Sequence, residues 1–162
     1  MGIPVWEPYK DTEHKRLRTK LGDFQIDSFP VPHNGCENRG FLIKTEEQTI
    51  CFMTDLEYCP YDLSSQKIDT MIIELNYQEE LISDIDEHRR HVVLGHCSES
   101  TTIGILKQNI KYLKNVILIH MSTSGYLNRN IAMKRIREEI PDYINVCWAK
   151  PNTNYNISLI PF

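Results

Sequence analysis

The order of apolar segments predicts a layered α/β fold, a sheet covered by helices. Three observations carry this. Segments with strand-like alternation come first, between Gly22 and Met53. Two short and almost continuously apolar runs, DTMIIEL (69–75) and NVILIH (115–120), then have the signature of strands buried on both faces. Between and after them lie segments whose apolar residues recur every three or four positions, as on a helix.

Along the chain, residues 1–21 show no clear period and hold the charged run DTEHKRLRTK, so they are expected to form an N-terminal arm. FQIDSFPV alternates apolar and polar residues and predicts a strand with one buried face. HNGCENRG is turn-rich. GFLIK and TICFM then read as a hairpin around the polar tip TEEQ. DLEYCPYDLSSQ is irregular, DTMIIEL is a strand, and YQEELISDIDEHRR is expected to contain a short helix.

SESTTIGILKQNIKYLK places Ile103, Leu106, Ile110 and Leu113 at spacings of three and four, with Ser98 or Ser100 available as N-cap. NVILIH follows as a strand, and NRNIAMKRIREEI as a helix stopped by Pro141. YINVCWA and NYNISLI are candidate final strands. A chain of 162 residues without repeat, low-complexity tract or linker favours one domain over residues 22–162.

The net charge of −4 argues against a dedicated duplex-binding protein, because phosphate contacts need clustered Lys and Arg. It leaves room for small nucleotides or single-stranded ends as substrates. Five cysteines without a CxxC pair suit a reduced, cytoplasmic setting. No apolar run approaches membrane-spanning length, and the opening MGIPVWEPYK lacks the layout of a secretory signal, so no membrane role is expected.

In layered α/β sheets, functional side chains gather where strands end, because the strand is a rigid mount. Asp55 after TICFMT, Glu74 in MIIEL, His96 in VVLGHCSES and His120 after VILI occupy such edges, and His33 in FPVPHNG lies just past the first strand. A lone histidine after a strand is ordinarily a hydrogen-bonded structural residue. Its recurrence at one kind of edge, together with carboxylates, points to a site. A carboxylate can bridge two divalent cations, and neutral imidazole suits Zn, Mn or Fe.

Taken in order, FPVPHN, GFLIK, MTDLEY, IDTMIIELNY, HRRHVVLGHCSES and VILIHMS resemble the second half of metallo-β-lactamase-fold hydrolases. The ribonuclease Z-like and exonuclease-like phosphodiesterases are the most similar branches, and the resemblance spans about residues 22–140. It implies half of an αββα sandwich, with a mixed sheet covered by helices. It also implies that Asp55 is a metal-bridging aspartate, His120 the last metal-binding histidine, and His96 a non-ligand histidine beside the scissile phosphate. Glu74 and Asn76 would orient neighbouring ligands, and His33 would line the pocket. The implied cofactor is a divalent metal, Zn or Mn.

The chain departs from the family pattern in three places. Leu56 and Glu57 follow the TD pair where the family often has Gly, and Gly125-Tyr126 stands where an Arg-Tyr pair is usual. The family's N-terminal H-x-H-x-D-H motif has no counterpart among the six histidines, 14, 33, 88, 91, 96 and 120. His88 and His91, three apart with arginines between, read as a solvated helix end. Asp55 and His120 alone supply two protein ligands, where a catalytic zinc usually has three. The expectation is therefore a metal-dependent phosphodiesterase or nuclease that works as a homodimer or with a complementing N-terminal half. The alternatives are a catalytically inactive nucleotide- or protein-binding module, or a fragment of a longer hydrolase.

Overall fold

The computed structural model of the chain describes residues 17–82 and 92–155. Seven strands form one mixed sheet whose spatial order follows the chain. They are β1 (Leu17–Leu21), β2 (Phe24–Pro30), β3 (Arg39–Lys44), β4 (Thr49–Met53), β5 (Thr70–Glu74), β6 (Asn115–Ile119) and β7 (Asn145–Trp148). Strands β1 to β4 form an antiparallel meander, and β4 to β7 run parallel.

The change of direction follows from connection length. Short turns such as Thr45 to Gln48, closed by Thr45 N–H donating to Gln48 O at 2.9 Å, join antiparallel neighbours. Parallel neighbours need longer crossovers. Two of these crossovers are helices, α1 (Glu99–Asn109) between β5 and β6 and α2 (Arg129–Glu139) between β6 and β7. The β4–β5 crossover is the irregular 54–69 segment, with a 3-10 turn at Ser64–Gln66.

Both helices start where the sequence signals it. Ser98 is the N-cap of α1, its Oγ accepting from Thr101 N–H at 3.2 Å. Asn128 caps α2 by accepting from Asn130 and Ile131 N–H, each at 3.2 Å. Proline bars the helical region to its predecessor, and Ile140 before Pro141 has φ −114 and ψ 129, which ends α2.

The register sorts the sheet into two faces. Cys51, Met71, Val116 and Val146 form one row, and Met53, Ile73, Leu118 and Trp148 the next. This face joins Ile105, Leu106 and Ile136 of the helices in the main hydrophobic cluster. Leu106 and Leu113 are buried as their spacing suggested, and Ile103 and Ile110 pack at the margin of the cluster. The opposite face carries the row Phe41, Phe52, Ile72, Ile117 and Cys147, of which Ile117 alone is buried.

One local expectation changes. Leu17–Leu21, placed in the arm by its charged sequence, is the edge strand β1 paired to β2. Of the expected helix over YQEELISDIDEHRR, Glu79–Leu81 forms a 3-10 turn. Residues 83–91, including His88 and His91, lie outside the described residues, as do 1–16 and most of NYNISLI.

Candidate metal centre

The site lies where β4, β5 and β6 end. Glu74, the last residue of β5, is its hub and is wholly buried. Its Oε1 lies 2.6 Å from His96 Nδ1 and 2.8 Å from His120 Nδ1, and its Oε2 accepts from Leu56 N–H at 3.0 Å. Burial alone would push this carboxyl up. The hydrogen bonds from His120 and His96, the His96 charge and the Leu56 amide overcome it and hold Glu74 below the usual glutamate range.

An ionised carboxylate only accepts, so both rings must carry their proton on Nδ1. That assigns the tautomer and turns both Nε2 atoms away from Glu74. His120 is itself held above the usual histidine range, by its hydrogen bond to Glu74, against a smaller effect of burial, with the Glu74 and Asp55 charges adding. Its Nε2 lies 3.4 Å from Asp55 Oδ1, and both side chains are over a third exposed beside the buried glutamate.

His33 arrives by a different route. Asn34 and Gly35, with φ of 44 and 75, and the His33–Cys36 bridge mark the Asn-Gly type I′ turn that the sequence HNGC favours. The His33 Nδ1 donates to Gly95 O at 2.6 Å. A Cβ on Gly95 would come within 3.3 Å of that ring, so glycine permits the approach. The His33 and His96 ring centres are 5.2 Å apart, and those of His96 and His120 are 4.9 Å apart.

All five candidate residues therefore converge. Donor atoms of His33, Asp55 and His96 lie within 4.8 Å of one another, as do those of Glu74, His96 and His120. The second group is explained by hydrogen bonding, since Glu74 already occupies both Nδ1 atoms. The first group offers imidazole and carboxylate donors of the kind a divalent metal accepts, and the His120 Nε2 stands beside its Asp55. Its donors match such an ion in kind.

Asn76 ties its side-chain amide to His120 O at 2.9 Å and its backbone to Cys97 and Ser122. Reading the sequence missed Glu57. Its Oε1 accepts from Asn34 N–H at 2.6 Å, and its own N–H donates to Pro32 O, which staples the His33 turn to the segment after Asp55. The signal was the departure from glycine just after the TD pair. In this chain Leu56 fills the core and Glu57 braces the cleft wall.

No family model matches the chain, and no curated protein matches it. Solved structures do. The metallo-β-lactamase-fold protein YhfI from Bacillus subtilis matches with a TM-score of 0.63 at 18% identity, over 85% of this chain and 51% of that one. The chain has a metallo-β-lactamase-type fold. The short form of human tRNase Z matches with a TM-score of 0.53 at 20% identity, over 70% of this chain and 42% of that one. Zn-bound PqqB from Methylobacterium extorquens matches at 0.55 and 11% identity, over 82% and 50%. This metallo-β-lactamase-type chain thus spans about half the length of these structures, and its mixed sheet with helices is the architecture the sequence predicted. Among the described residues no helix is long and apolar enough to cross a membrane.

Proposed function

We propose that this chain supplies part of the metal site of a metal-dependent hydrolase acting on a phosphodiester, in a nucleotide or a nucleic-acid end. The observation that carries the proposal is the fixing of three imidazoles around Asp55. His96 and His120 donate Nδ1–H to Glu74, and His33 donates to Gly95 O; His120 Nε2 lies 3.4 Å from Asp55 Oδ1, and donor atoms of His33 and His96 lie within 4.8 Å of one of Asp55. Metal-binding histidines commonly have the other ring nitrogen fixed in this way.

In this reading Asp55 and His120 hold the ion. A bound Zn or Mn would polarise a phosphoryl oxygen and lower the pKa of water. His96 acts on the leaving group. The Glu74 carboxylate at its Nδ1 fixes the orientation of the ring for general-acid work at the departing oxygen. Glu74 and Asn76 fix the ring and backbone of His120, and His33 walls the cleft. The partner that completes the donor set is a second copy of this chain or a complementing N-terminal half, and the setting is the reducing cytoplasm, which suits five free cysteines.

The test combines metal uptake with turnover. Purified protein, alone and with candidate complements, is titrated with Zn or Mn and assayed on bis-p-nitrophenyl phosphate. Metal-dependent turnover abolished by Asp55→Ala is the expected result. Neither uptake nor turnover under any of these conditions refutes the enzyme. That result would favour the second reading, an inactive nucleotide- or protein-binding module, which the count of two assigned ligands supports. Light scattering that finds a clean monomer would exclude the homodimer.

A further inference from the structure

Asp55 and His120 share an uncommon backbone conformation, with φ of 53 and 54. Asp and His enter this left-handed region more readily than most residues, yet it persists only where surrounding contacts enforce it. At both positions an asparagine amide supplies the contact. Asn76 Nδ2 donates to His120 O at 2.9 Å. Asn38 Nδ2 donates to two successive carbonyls, Thr54 O at 2.7 Å and Asp55 O at 2.5 Å.

Successive carbonyls of an extended chain point to opposite sides, so one donor group cannot reach both. The turn at Asp55 brings them to the same side. An amide nitrogen carries two hydrogens, one for each carbonyl, and with acceptors on both its contacts the assignment of nitrogen over oxygen at Asn38 is settled. The mount is firm as well, because Asn38 O accepts from Val31 N–H at 3.0 Å, just before β3.

We propose that Asn38 is a positioning residue: by gripping the Thr54 and Asp55 carbonyls, it holds Asp55 left-handed and aims its carboxylate at His120 Nε2. This deepens the function proposed above and rests on it in treating Asp55 as a metal ligand. Few side chains meet the requirement. Aspartate has the same shape and no donor, and alanine offers nothing.

The test compares wild type, Asn38→Asp and Asn38→Ala by two readouts. Backbone NMR shifts of Asp55 in metal-free protein report whether it stays left-handed, and Co(II) titration reports affinity. In both variants Asp55 is expected to leave the left-handed region and Co(II) affinity to fall about 10- to 100-fold. The loss should be at least as great in the isosteric Asp variant as in Ala. A merely structural role predicts a lower Tm, with Asp55 shifts unmoved and Co(II) affinity of the folded protein within about twofold of wild type. That outcome overturns the proposal. If wild type takes up no Co(II), the metal assignment fails, and the Asp55 shifts of Asn38→Asp still decide whether Asn38 sets the backbone.

Discussion

Replacing Glu74 by glutamine tests whether the buried carboxylate is the hub of the site. The change is isosteric, so packing is kept and hydrogen bonding alone is altered. In the wild type the two oxygens accept from His96 Nδ1, His120 Nδ1 and Leu56 N–H. A glutamine carbonyl can keep the two imidazoles, but its NH2 then meets the Leu56 N–H, donor against donor. Orphaning that buried amide costs about 2 kcal/mol. The two imidazole bonds lose their charge assistance, about 1 kcal/mol each. Relief from burying a charge offsets part of this, leaving a net loss of about 3 kcal/mol.

For a chain of this length each kcal/mol moves Tm by about 2–4 °C, so Glu74→Gln should melt about 6–12 °C below wild type. Thermal denaturation in the presence of a chelator measures this free of any bound ion. Glu80→Gln, which removes an exposed partner of Arg135, is the control and should change stability by under about 1 kcal/mol. A Glu74→Gln protein that melts within about 2 °C of wild type, or above it, would refute the hub.

Other consequences can be checked as directly. Burial pushes the Cys51 and Cys97 thiols well above the ordinary cysteine range, whereas Cys36 is exposed. A thiol reagent at pH 8 should therefore modify Cys36 first, and alkylation of Cys97 should stay slow up to about pH 9. Equal rates at Cys36 and Cys97, read by mass spectrometry, would contradict the packing. Leu106→Ala, at a wholly buried position where α1 meets the sheet, should cost about 2–5 kcal/mol in a denaturant titration. Gly35→Ala forces a side chain into φ 75 in the turn after His33 and should cost about 1 kcal/mol, also read by denaturant.

Much of the framework was legible because it depends on local pattern. Continuous apolar runs marked β5 and β6, and period-3.6 spacing with Ser98 and Pro141 marked the helices. β1 was not legible. An edge strand pairs on one side only, and its residues need no apolar signature; Leu17–Leu21 is a strand because β2 offers it a partner. The site residues could be suspected because they stand at strand ends. Their mutual arrangement could not be read, since it depends on contacts between residues far apart in sequence. His33 reaches Gly95 across 62 positions, and His120 reaches Glu74 across 46. Asn38 carried no signal, because a donor for two main-chain carbonyls has no motif.

The same geometry explains why the candidate site collects at this edge. Strands β4, β5 and β6 run parallel, so their C-terminal ends lie together. At each end the chain must turn away, and each turn is used differently. β5 ends on a buried carboxylate that orients two rings. The Thr54–Asp55 turn after β4 and His120 after β6 each lift a residue into the left-handed region, which lets a polar side chain face the cleft rather than continue the pleat. Turning at a strand end satisfies the fold, while the residue that occupies the turn decides the chemistry. Replacing Asp55 by glycine would relieve the turn and remove the donor together, so a stability that holds or rises while metal uptake is lost would identify this position as kept for function at the expense of backbone strain.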